Sequence, residues 1–198
     1  MARLEHLPLF LLNTVLYPEQ RLSLRVFEAR YMDMITDCLK KELPFGLVSI
    51  RTGAEVGDIA EPMDVGTLAY IESWEMPGPG LLHIVARGGP RFHIETTEHV
   101  GKLTLASVVM WEEEAATSIA PEYTQLVDFI RRIVDETQTP IIAPPHRFDD
   151  ASWVGMRLAQ LLPLPLTRKQ AWLEQRDPLA RLESIQRELD KLVTDKKT

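Results

Sequence analysis

The chain has 198 residues, 45% of them hydrophobic and 26% charged, with a net charge of −7 and a single cysteine. That length and balance fit one domain with two packed lobes and exclude fibrous and disordered architectures. No run approaches the roughly 20 uncharged apolar residues of a membrane helix, Met1 to His6 lack a secretory apolar region, and Cys38 alone can make neither an internal disulfide nor a cysteine-built zinc site. The expectation is a cytoplasmic protein without membrane attachment.

The charge is unevenly spread. Residues 1–118 carry 10 Lys+Arg against 17 Asp+Glu, and residues 119–198 carry 12 of each. Affinity for nucleic acid comes largely from Lys and Arg neutralising phosphates, so the acidic first part predicts no nucleic-acid partner.

Along the chain, Leu7-Pro8-Leu9-Phe10 and Leu22 to Val26 read as strands, with Tyr17-Pro18-Glu19 as the turn between them. From Phe27 the period changes. Phe27, Tyr31, Met34, Ile35 and Cys38 share one face of a predicted helix running to about Lys40, and Phe27 and Tyr31 are expected to fill the core. Strand signals return at Phe45 to Ile50 and Val65 to Trp74, around an exposed loop at 51–64. Alternation then predicts strands at Leu81 to Arg87 and Arg91 to Thr96, with Met76 to Gly80 and Gly88-Gly89-Pro90 as two hairpin turns. Gly66 suits a strand that another backbone approaches closely. Short strands around one early helix predict a sheet curled on itself, a pseudo-barrel over residues 1–118. Glu112-Glu113-Glu114 reads as a solvated linker.

Residues 119–198 read as a helical lobe. Tyr123, Leu126, Val127, Ile130 and Val134 mark a helix from Pro121 to about Asp135, ended by three prolines between Thr139 and Pro145. A second helix spans Asp150 to Leu162, with the Asp149-Asp150 carboxylates at its start. Thr167-Arg168-Lys169-Gln170 has capping-box spacing. Asp177-Pro178 is a cap with a first-turn proline before Leu182, Ile185, Leu189 and Leu192, and residues 194–198 are expected to fray.

Catalysis has no local signature in the sequence. Gly101-Lys102 lacks the upstream glycine and following Ser/Thr of a phosphate loop, and neither Gly-x-Gly-x-x-Gly nor Gly-x-Ser-x-Gly occurs. His6, His83, His93, His99 and His146 form no metal-ligand spacing; His83 and His93 are placed as a cross-strand surface pair, and zinc would need a third ligand such as His99 or Glu95. No catalytic residue, metal or cofactor is expected.

Three ordered blocks carry a resemblance. They are Leu7 to Phe10, Asn13 to Pro18 and Leu24 to Tyr31; then Val65 to Ala69 with Gly88 to Phe92; then Leu162-Pro163-Leu164 with Lys169-Gln170, Leu173-Glu174, Asp177 and Arg181-Leu182-Glu183. Together they resemble the amino-terminal, substrate-binding domain of the Lon protease family, found also in cereblon and in small stand-alone bacterial proteins. The resemblance implies an α+β fold, a PUA-like β pseudo-barrel with one embedded helix followed by a C-terminal helical bundle. It also implies a non-catalytic module for unfolded or client polypeptides, without the ATPase and Ser-Lys protease domains of a full Lon protease. It admits self-association, which no heptad run demands. Pro18, Phe27, Glu28, Arg30, Tyr31, Gly66 and Phe92 are read as structural, with Glu28 and Arg30 as local partners of each other. Trp74, Met76 and Pro77, with Tyr17, are the candidate peptide-binding residues. The alternatives are an RNA-binding PUA-like domain and a metal-dependent enzyme using His83 and His93.

Overall fold

The run Leu7 to Leu12 shows no polar alternation, and the reason is burial on both faces. In the computed structural model, which describes residues 2–136 and 142–195, it lies in strand β1 (Arg3–Leu12). Leu7, Leu9 and Leu11 enter one apolar cluster, while Phe10 and Leu12 enter another. Strand β3 (Phe45–Thr52) behaves alike, with Val48 and Ile50 on one side and Phe45 and Leu47 on the other.

The other strands are β2 (Arg21–Val26), β4 (Glu61–Pro62), β5 (Val65–Gly78), β6 (Leu81–Val100) and β7 (Leu103–Met110). Neighbouring pairs run β1–β7–β6–β5–β3, and a parallel β1–β3 pairing, Leu9 to Leu12 against Gly46 to Ser49, closes the ring. The remaining pairings are antiparallel. One cluster draws on all five ring strands and fills the interior: Leu7, Leu9, Leu11, Val48, Leu68, Phe92, Ala106 and Val108 are among its members. Gly66 lets that interior close, since a Cβ there would sit 2.6 Å from Val48 and 2.7 Å from the Phe92 ring.

The predicted hairpin turn at Gly88-Gly89-Pro90 is not one. These residues lie inside β6, a single strand of 20 residues. Glycine is required there by contact: a Cβ on Gly88 would fall 2.1 Å from the Tyr17 carbonyl oxygen. The other predicted turn forms, between the ends of β5 and β6 at Pro79-Gly80.

The second cluster lies between β2, the early part of β6, and helix α1 (Ala29–Lys41), whose Tyr31, Met34, Ile35 and Cys38 are buried. Phe27 corrects the predicted face, for it is 59% exposed. The helix begins at Ala29 after an extended Glu28, so Phe27 belongs to the strand exit and not to the helical period. Burial, with Asp37 adding to it, pushes the Cys38 thiol up from 9.0 to about 11. The folded chain therefore holds this proton more tightly than the unfolded chain. The associated stability is present below pH 9.0 and lost as pH rises toward about 11. Tyr31, also raised by burial, adds a share above pH 10.0. We expect the urea midpoint to fall across this window and Cys38→Ala to flatten the slope at its lower end; an unchanged slope in the variant would refute the assignment.

The chain divides into two compact units, Met1–Glu113 and Glu114–Thr198. In the second, a 3-10 turn (Pro121–Tyr123) leads into α2 (Thr124–Glu136), followed by α3 (Ala151–Leu161), α4 (Leu166–Glu174) and α5 (Pro178–Asp195). Helix α3 is buried nearly all round and contacts each of the other three. Asp150 caps it, accepting from the Ser152 N–H at 3.0 Å, and Asp177 caps α5, accepting from Leu179 at 2.9 Å. The predicted capping box at Thr167 does not form: α4 starts at Leu166 with Pro165 as its cap residue, and the buried Gln170 donates to Glu174 at 2.8 Å. The break at Thr139 to Ile141, the Leu192 side chain and the fraying of residues 196–198 lie outside the described residues.

Glu112 and Glu113 are exposed, whereas Glu114 corrects the reading of a solvated linker. Its side chain is 8% exposed and pairs with Arg181, which is 0% exposed. Arg181 donates Nη1 to Glu114 Oε2 at 3.0 Å and Nε to the Trp172 carbonyl at 3.0 Å. Gly155 faces the Arg181 stem, so α3 makes room for the guanidinium.

Candidate functional site

Three strand segments form a ribbon: β2, residues 81–87 of β6, and the later half of β5. Register assigns their faces, because residues directly opposite in a sheet point the same way. Leu22, Leu24 and Val26 stand opposite Ala86, Ile84 and Leu82, and Ile71 and Trp74 stand opposite Ala86 and Ile84. This apolar face receives α1. The other face carries Arg21, Ser23 and Arg25 of β2, with Arg87, Val85 and His83 of β6.

The apolar face outruns its cover. Trp74, opposite buried Ile84, is 58% exposed, and Met76 is 57% exposed. Trp74 also stands on an open edge, since the pairing of β3 with β5 covers only Thr67 to Ala69. Among the described residues no strand lies beyond Trp74 on that side. Pro77 is exposed at the approach to the hairpin tip. Large apolar side chains at a strand end, free of core packing, are the features of a partner-binding surface.

On the polar face, Glu72 takes both neighbouring arginines: Arg21 Nε donates to Oε2 at 2.6 Å and Arg87 Nε lies 3.3 Å from Oε1. A register shift between Ile71 and Ser73 makes Glu72 the extra residue of a bulge. His83 Nδ1 lies 3.2 Å from Glu75 Oε1. His83 and His93 are not a cross-strand pair, since both belong to β6, ten positions apart. Among the described residues no three His, Cys, Asp or Glu side chains converge on a metal position.

Tyr17 does not join Trp74, Met76 and Pro77. It is 1% exposed, drawn in by the turn in which the Gln20 N–H donates to its carbonyl and Gln20 Oε1 accepts from its N–H, at 3.1 and 2.9 Å. Pro18 and Glu19 form that turn, and the Glu19 N–H donates to Gly88 at 2.8 Å. Glu28 and Arg30 pair at 3.0 Å. Arg30 also donates to the carbonyls of Lys102 and Glu55 at 3.0 and 3.1 Å and lies 4.6 Å over the Tyr31 ring, a clamp at the start of α1. Tyr31 stacks on Phe10 at 4.1 Å. Sequence patterns missed the β2 edge and the Glu114–Arg181 pair, because neither leaves a local signal.

The comparisons with known proteins agree on one family. The family model for the ATP-dependent protease La (LON) substrate-binding domain matches residues 6–191. The crystal structure of a Lon N-terminal domain protein from Xanthomonas campestris is similar, with 31% identity and a TM-score of 0.76, covering 93% of this chain and 97% of that one. The N-terminal domain of the Mycobacterium avium complex Lon protease shares the fold, with 17% identity and a TM-score of 0.65, covering 91% of this chain and 96% of that one. No curated protein matches the chain. Among the described residues no helix is long and apolar enough to cross a membrane. The chain, an α+β fold built on a mostly antiparallel sheet, belongs to the Lon substrate-binding domain family.

Proposed function

We propose that the chain is a non-catalytic polypeptide-binding domain of the Lon amino-terminal type, recognising unfolded client proteins through the Trp74–Pro77 end of the ribbon. The PUA-like pseudo-barrel is its docking body and the helical bundle its companion. The observation that carries the reading is the exposure of Trp74 on the same sheet face as the buried row Leu82, Ile84 and Val26, with exposed Met76 two residues on. A tryptophan and a flexible methionine at a strand end supply adaptable apolar area without a cavity of fixed shape. Client recognition thus draws on apolar burial, and the adjoining arginines and glutamates set the approach.

The test is a titration with fluorescently labelled, chemically unfolded polypeptides. Saturable binding is expected, weakened by about 2 kcal/mol, roughly thirtyfold, when Trp74→Ala and Met76→Ala are combined. Both side chains are exposed, so the unfolding free energy from urea titration should stay within about 0.5 kcal/mol of the parent. No saturable binding across a panel of clients would refute the reading.

A further inference from the structure

We propose that the outer edge of β2 is a strand-addition site for an extended polypeptide segment in which acidic residues alternate with apolar ones. The inference rests on the polypeptide-binding reading and names the segment that is taken and how it is held.

Among the described residues β2 pairs with β6 alone. The direction of its backbone groups follows from Gly88, whose N–H donates to Gln20 and whose carbonyl accepts from Glu19, both at 2.8 Å. In an antiparallel ladder alternate residues exchange hydrogen bonds. Stepping by twos from Gly88 reaches Ala86, Ile84 and Leu82, so their partners Leu22, Leu24 and Val26 bond to β6. Arg21, Ser23 and Arg25 therefore turn their N–H and C=O groups to the open side. No backbone group among the described residues bonds them there.

Two other free edges in this unit are blunted. The far edge of β5 carries two register shifts, between Ile71 and Ser73 and between Glu75 and Gly78, and Pro77 has no N–H to offer. Strand β4 is two residues long. Bulges, prolines and short strands are the devices that stop edge pairing. By contrast β2 keeps unbroken register over six residues, without proline or bulge.

Charge selects the occupant. The polar face of the ribbon bears Arg21, Arg25 and Arg87 against Glu72 and Glu75, a basic face in a unit with an acidic excess. Arg25 is exposed and forms no ion pair among the described residues. A second copy of β2 fits poorly, since antiparallel self-pairing about Ser23 would set Arg21 opposite Arg25, and like charges directly opposite are destabilising. An added strand gains instead from an acidic residue opposite the unpaired Arg25, and to a lesser degree from one opposite Arg21, which Glu72 already engages, with apolar residues between them lying beside half-buried Leu22 and Leu24. The pattern is acidic–apolar–any–apolar–acidic.

The experiment measures fluorescence anisotropy of a labelled peptide with the core Glu-Val-Thr-Val-Asp on the full chain. Binding should weaken at least tenfold when the acidic residues are made adjacent and when both become lysine. N-methylation of alternate backbone amides should weaken binding at least tenfold in one register and little in the other. Ser23→Pro removes an outward N–H and none of the N–H groups bonded to β6, at an edge strand where proline is tolerated, and should abolish peptide binding while the ladder to β6 persists. Arg25→Glu should weaken the acidic peptide about tenfold and favour the lysine analogue. If unfolded polypeptides bind in a Trp74-dependent way but the peptide shows neither charge order nor a methylation register, strand addition is overturned and the polypeptide-binding reading stands. If neither binds, both fall. A concentration-dependent dimer broken by Ser23→Pro would assign the edge to a second copy and overturn the proposal.

Discussion

Glu114→Ala is expected to destabilise the second unit by about 3–5 kcal/mol, because it strands the Arg181 guanidinium in a site with no access to water. Arg181 is 0% exposed, and among the described residues its negative partner is Glu114, while Trp172 and Gln175 offer neutral carbonyls. The pair also holds Ser152, near the start of α3, whose hydroxyl donates to Glu114. Its loss thus reaches α3 and α5 together. Hydrogen exchange of α5 amides under increasing urea is the suitable measurement, since it reports this unit alone. Replacing both partners by apolar residues, Glu114→Leu with Arg181→Met, should cost less than the sum of the single changes, because the double variant leaves no buried charge. Unchanged protection in Glu114→Ala would show that the pair carries no weight.

Phe92→Ala is expected to cost the first unit about 3–5 kcal/mol, the range for removing a large aromatic from a core that cannot collapse. Phe92 is 0% exposed inside the strand ring, and its Cζ stands 2.8 and 2.7 Å from the positions that Cβ atoms on Gly46 and Gly66 would take. The ring therefore fills space left by two glycines on neighbouring strands. With closed backbone pairing around it, the ring has little freedom to shrink into the void. Urea unfolding should show the loss, and Phe92→Leu, which keeps more of the apolar volume, should lose less than the alanine variant. A small effect of the alanine would mean that the pairing of β3 with β5 relaxes more than its register indicates.

The elements that sequence made legible are those whose own period decided them. The Tyr31, Met34, Ile35 and Cys38 face, the cap at Asp177, and the alternation of Leu82, Ile84 and Ala86 all rest on residues a few positions apart. The misreadings share a different cause. Gly88-Gly89-Pro90 has the composition of a turn, but its glycine answers to a carbonyl 71 positions earlier in the chain, at Tyr17. Phe27 continued a helical spacing past the point where the backbone becomes helical. Thr167 matched a cap by spacing, while the backbone turned one residue before Leu166, where Arg168 and Lys169 donate to the Pro165 carbonyl at 2.9 and 3.1 Å. The candidate site was legible as apolar residues near a turn at Trp74, Met76 and Pro77. Tyr17 was inseparable from them by composition, because its burial follows from the close approach of β6. The open side of β2 belongs to topology, which no local window contains.

The unbroken course of β6 has a mechanical meaning. Its first seven residues form the middle of the ribbon and its remainder forms a wall of the ring, with Gly88 bonded to Glu19 and Gln20 and paired with Ala69 at the crossing. A register shift sets Gly89 and Pro90 against Leu68 just past that crossing, yet the strand runs on through it, so a swing of the ribbon would tear backbone pairs from two neighbours at once. Cargo taken there would be gripped at a fixed bearing, like a tool in a vice, and little ordering entropy of the receptor would be spent in taking hold.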